Sequence, residues 1–109
     1  MTDTTTKIPG GLSATGRAAA KAIQKELIAS DGETGGCRAF YSPKQWRERG
    51  EQYGRNAELI VCHDGGDLAL MFSLDHECHE THEKVLQALA RVGAWAEACT
   101  CWYSAIYKL

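Results

Sequence analysis

Residues 58–75 read Glu58-Leu59-Ile60-Val61-Cys62-His63-Asp64-Gly65-Gly66-Asp67-Leu68-Ala69-Leu70-Met71-Phe72-Ser73-Leu74-Asp75. Two short apolar runs, 59–62 and 68–72, flank a polar connection that holds two adjacent glycines. Paired glycines can both take the positive φ that tight hairpin turns require, so the stretch predicts a β-hairpin. Neither run alternates with polar residues, which predicts strands covered on both faces.

Outward from the hairpin, the preceding segment carries a helix signature. Cys37 to Tyr41 is a short strand candidate, and Ser42-Pro43-Lys44-Gln45 follows it. Ser42 suits an N-cap, Pro43 the first helical position, and Gln45 the third position of a capping box. Trp46, Gly50 and Tyr53 would share one face of this helix, with Gly54 as its stop. Trp46 is then a core residue, while Arg47 and Arg49 point elsewhere. After the hairpin, Asp75 suits the cap of a helix running to about Val92, with Gly93 as the stop. Cys78, Val85, Leu89 and Val92 would project on one side of it, with His82 and Leu86 beside them. His76, His79, Glu80 and Glu83 would project on the other. Ala96 to Leu109 reads as one terminal strand, rich in aromatic and small residues. Cys99, Cys101, Tyr103, Ala105 and Tyr107 would share one of its faces, and Trp102, Ser104 and Ile106 the other.

The N-terminal portion adds one helix. Residues 1–11 read as a flexible tail, and residues 12–109 as a single α+β domain. Ser13 suits the cap of a helix spanning residues 12–30, and Leu12, Ala19, Ile23 and Leu27 give it a narrow apolar stripe. So thin and Ala-rich a stripe suits either loose packing or close packing against something flat. The glycine-rich stretch 31–36 breaks the chain, and the core follows over residues 37–109. The order β-α-β-β-α-β is the ferredoxin-like pattern, an antiparallel sheet with both helices on one face, here with an extra N-terminal helix.

Composition limits the function classes. A chain of 109 residues suits one domain with a self-sufficient core. No apolar run approaches the roughly 18 residues of a membrane span. Met1 to Gly11 lacks the apolar segment of a signal peptide, so the expected compartment is the cytoplasm. Five cysteines, Cys37, Cys62, Cys78, Cys99 and Cys101, are an odd number and are expected to be reduced. The net charge of -2 is small, but its distribution is uneven. Residues 38–55 hold five basic side chains against two acidic ones, whereas residues 58–83 hold seven acids and no Lys or Arg. One basic and one acidic patch follow if the two segments stay apart in the fold.

Three constellations bear on chemistry. Cys78 and His82 are one helical turn apart, and Cys99 and Cys101 share one face of a strand. The four could form a tetrahedral zinc site if strand and helix ends meet. The competing reading makes them ordinary core residues of an amphipathic helix and a strand. A cysteine-dependent enzyme would use Cys62. Cys62 and His63 point to opposite faces of a strand, so the thiol would need a distant base such as His82. Nucleic-acid stacking on Tyr103, Tyr107 or Trp102 is disfavoured, since the basic groove it needs would be confined to the 38–55 segment.

The stretches Trp46-Arg47-Glu48-Arg49-Gly50, His63-Asp64-Gly65-Gly66-Asp67-Leu68 and Cys99 to Tyr107 resemble segments of small uncharacterised proteins of bacteria and their phages. The resemblance covers most of residues 37–109 and brings no established activity. Small phage proteins of this length often bind and block a host protein, including defence complexes, so it implies an inhibitory binding module. With no complete catalytic set in the chain, a non-enzymatic protein-binding module is the first expectation. Its contact residues would be Glu77, Glu80, Glu83, Arg47, Arg49, Trp102 and Tyr103, with no cofactor. The zinc domain is the second expectation and the cysteine enzyme the third.

Overall fold

The computed structural model describes residues 7–29, 38–51, 56–63, 72, 79–100 and 102–109. Helix α1 spans Ala14–Ala29. Ser13 starts it as the sequence predicts: its hydroxyl oxygen accepts from the Gly16 N–H at 3.0 Å. The same hydroxyl donates to the Glu58 carboxylate and ties the helix start to the chain entering the sheet. Leu12, Ala19, Ile23 and Leu27 are all buried, and Gly16 and Ala20 widen the buried stripe. The flat surface that this stripe meets is the sheet. Of the expected tail, Ile8 packs against the core and Pro9 is buried.

Strand β1 is Phe40–Tyr41, and helix α2 is Pro43–Glu48. The capping box forms: the Ser42 hydroxyl accepts from the Gln45 N–H at 3.2 Å, and the Gln45 side-chain oxygen accepts from the Ser42 N–H at 3.0 Å. The helix ends earlier than its apolar spacing predicts. Gly50 takes φ +78° and donates its N–H to the Arg47 carbonyl at 3.0 Å, so it terminates α2 instead of lining it. The expected stop, Gly54, lies outside the described residues.

Strand β2, Leu59–Cys62, is buried at all four positions, as its continuous apolar run predicts. It lies between β1 and strand β4, Tyr103–Lys108, pairing antiparallel with both. Residues 68–71, the expected hairpin partner, lie outside the description, and Phe72 is helical. The positions beside β2 are taken by β1 and β4 instead.

Helix α3 runs His79–Arg91 and ends at Gly93, φ +76°. Its expected cap, Asp75, lies outside the description. Strand β3, Ala94–Ala98, then turns back into β4, so the single expected terminal strand is a hairpin. The reason is local. The Thr100 hydroxyl accepts from the N–H groups of Trp102 and Tyr103 at 3.2 and 3.3 Å. The Tyr103 carbonyl accepts from those of Cys99 and Thr100, both at 3.2 Å. A threonine side chain that bonds nearby backbone competes with the strand ladder and favours a turn.

The result is α+β: a four-stranded antiparallel sheet in the order β1-β2-β4-β3, with helices packed on it. The described strands do not establish the ferredoxin-like order, because the C-terminal hairpin stands beside β2. One face of the sheet packs Phe40, Leu59, Val61 and Ile106 against α1 and α3. The other face presents Ile60, Cys62, Tyr103 and Ala105, which pack with Trp46 of α2. No helix among the described residues is long and apolar enough to cross a membrane.

Candidate functional site

The face under α2 is the unusual one. Six residues of helix cannot cover a four-stranded sheet, and α2 sits over the β1–β2 side. Trp46 is its anchor and is fully buried. Its ring lies 5.2 Å from Tyr41, 5.8 Å from Trp102 and 4.8 Å from Tyr103, centroid to centroid. Tilted and edge-on contacts at such distances suit the aromatic quadrupole. Two guanidinium groups clad this cluster. Arg38 stands 4.5 Å from the Tyr41 ring centroid and donates to the Phe40 carbonyl and the Gln45 side chain. Arg49 stands 4.8 Å from the Trp46 ring and 5.2 Å from Tyr41, and donates to the Tyr41 hydroxyl at 3.2 Å. Its second nitrogen is 3.5 Å from the Glu51 carboxylate. Cation–π contact fixes where both charges sit.

Beyond the reach of α2, the same face opens to solvent. Trp95 of β3 and Tyr107 of β4 are register partners, with ring centroids 5.2 Å apart at 30°. Trp95 is 41% exposed. Glu97 and Cys99 follow on this side. Burial first, then the Glu97 charge and the Cys99 thiol, push the Tyr107 phenol pKa up. Burial and then Glu97 also push the Cys99 thiol up, while a hydrogen bond with the Ala105 backbone acts against them. The surface therefore runs from a cationic, aromatic end to an acidic one.

Of the residues expected to meet a partner, Arg49, Trp102 and Tyr103 converge around Trp46, and Arg47 is exposed on α2. Trp102 does not take the opposite face from Tyr103 as strand alternation predicts, because β4 begins only at Tyr103, and both rings pack on Trp46. Trp102 is half-buried, while Tyr103 is buried and serves packing. Glu83 is exposed on α3, the helix packed on the opposite face. Glu80 lies in α3, its side chain outside the description, and Glu77 lies outside the described residues altogether. The arginines and Glu83 thus sit on opposite sides of the sheet.

The four zinc candidates divide similarly. His82 lines a small cavity of about 110 Å³ with Phe72 and Ser104, on the α3 side. Cys99 packs with the Trp46 cluster on the other side. Cys78 and Cys101 lie outside the description. Among the described residues no group of three or more His, Cys, Asp or Glu is placed to hold a metal ion. Cys62 is buried in the Trp46 cluster, across the sheet from His82. His63 turns to the other face, as strand alternation requires. Its Nε2 lies 2.9 Å from the Ser104 hydroxyl, and its ring stacks on Phe72 at 5.3 Å.

Sequence reasoning missed Trp95 and its pairing with Tyr107. The signal was the alternation Ala94-Trp95-Ala96-Glu97-Ala98, which puts Trp95 and Glu97 on one face of a strand. The His63–Ser104 pair carried no such signal, because its partners are 41 residues apart. Against family models, curated proteins and solved structures, the chain finds no match.

Proposed function

We propose that this is a non-enzymatic protein-binding module that contacts its partner through the sheet face around Trp95, Tyr107, Trp102 and Arg49. The observation that carries the reading is the tilted Trp95–Tyr107 ring pair standing beside the short α2, with Trp95 41% exposed. Burying an aromatic side chain on association supplies a large apolar gain at small entropic cost, and Trp, Tyr and Arg dominate interface energetics. Strand β3 adds support. Among the described strands it pairs with β4 alone, an arrangement that suits pairing of its outer edge with a strand from another chain. Glu97 beside the exposed rings disfavours a phosphate backbone and favours a protein surface with a basic patch. Blocking a partner by occupying its surface is the mode of action this implies.

Partner capture by immobilised protein tests the reading. The wild type should retain one partner that Trp95→Ala and Arg49→Gln each lose, with melting curves close to wild type. Glu83→Lys, on the opposite face, should retain it. Capture indifferent to Trp95 and Arg49 but abolished by Glu83→Lys would move the interface to the acidic helix.

A further inference from the structure

We infer that the groove between α1 and α3 binds a single-chain anionic amphiphile, a carboxylate carrying a medium-length alkyl chain. The groove has a volume of about 370 Å³, within the range of roughly 300–1,000 Å³ usual for small-molecule sites. It lies on the helical layer, away from the aromatic face. Its floor is made of methyl groups: Ala18 and Ala22 from α1, Ala88 from α3 and Val92 just past the end of α3. Ala18 and Ala22 are spaced by four and lie one turn apart on one face of α1. Small side chains keep the groove open. Leucine at these positions would close it, whereas the buried stripe of the same helix carries Ile23 and Leu27.

The rim decides which amphiphile fits. Lys21 and Lys25 stand one turn apart on α1, and Arg91 faces them from α3; all three are exposed. Glu26 is the one carboxylate among the lining residues, so the groove carries three positive charges against one negative. The aliphatic stems of Lys and Arg extend the apolar wall while their heads stay in water. An alkyl chain on the alanine floor would bring an anionic head among those three cations. A neutral head would forgo that attraction, and a quaternary ammonium would be repelled by it.

Titration of the full chain with sodium decanoate below its micellar concentration tests the site, followed by amide NMR and calorimetry. One saturable site is expected, with shifts centred on Ala18, Ala22 and Ala88. Decanol and decyltrimethylammonium should bind at least tenfold more weakly. Lys25→Gln and Arg91→Gln, both at exposed positions, should each weaken decanoate about fivefold, and Ala22→Leu should abolish binding by filling the floor. Absence of a saturable site, decanol binding as tightly as decanoate, shifts centred elsewhere, or wild-type affinity in both charge variants would overturn the assignment.

Discussion

Gly16 is buried in the first turn of α1, where the helix crosses the backbone of Glu58. A glycine inside a helix usually costs about 1 kcal/mol relative to alanine, so Gly16→Ala should stabilise on propensity alone. Here a Cβ would press into the Glu58 carbonyl oxygen, which is sheet-bound backbone: the Glu58 N–H donates to the Ile106 carbonyl at 2.8 Å. Overpacking of this kind costs about 1–3 kcal/mol and outweighs the propensity gain. Gly16→Ala should therefore lower the urea midpoint; a raised midpoint would show that α1 can shift outward. A second residue-scale prediction concerns Cys99 and Tyr107, whose ordinary pKa values are 9.0 and 10.0 and are raised here by burial and then Glu97. The folded state holds both protons more tightly than the unfolded chain does. Their stabilising contribution is present in full below the ordinary values and is lost as pH rises through the folded ones. Stability should fall on the alkaline side above about pH 9. Glu97→Gln should bring the folded Cys99 value closer to the ordinary one, so that its share of the alkaline fall shrinks, and should make its alkylation at pH 8 faster, as site-resolved mass spectrometry would show. An unchanged rate would mean that burial alone sets the thiol.

Helix α2 is six residues long, too short to persist without packing and capping. Its position depends on the Ser42–Gln45 box at one end and on Trp46 in the core. Ser42→Ala removes the cap and should cost about 1 kcal/mol, with Trp46 fluorescence shifting to the red if the helix loosens. This element was fully legible in the sequence at its start, because a cap is written in four adjacent residues. Its end was not. The spacing of Trp46, Gly50 and Tyr53 imitates a helical face, and only the backbone shows that Gly50 has already left it. The terminal hairpin was illegible for a related reason. Cys99-Thr100-Cys101-Trp102 contains no Gly, Pro, Asn or Asp to mark a turn, and the turn rests on the Thr100 hydroxyl. β2 was legible as a doubly buried strand from its four apolar residues, but nothing in them names β1 and β4 as its neighbours. Pairing between distant segments has no local signature. For the same reason the basic and aromatic residues were each visible in the sequence, while their convergence around Trp46 was not.

At the scale of the whole molecule, the α2-side face of the sheet is covered at one end and exposed at the other, and two tryptophans mark the difference. Trp46 is fully buried at the centre of the α2-side cluster, touching Tyr41, Trp102 and Tyr103. Trp46→Ala should cost about 3–5 kcal/mol, a large fraction of the roughly 5–15 kcal/mol that holds an ordinary domain together. It should also release Arg49, whose guanidinium rests on that ring. Trp95 lies on the same face, yet α2 does not reach it, and among the described residues its aromatic neighbour is its register partner Tyr107. Losing that cross-strand pair should cost about 0.5–1 kcal/mol. A domain with no binding role for this face would have little reason to expose a tryptophan that adds so little to folding. Urea unfolding of Trp46→Ala and Trp95→Ala, set beside partner capture by each, separates the two roles. Trp95→Ala should fold almost as stably as wild type and lose the partner. If Trp95→Ala instead unfolds as readily as Trp46→Ala, the exposed pair is a structural element of the hairpin, and the contact surface has to be sought on the α3 side, around Glu83.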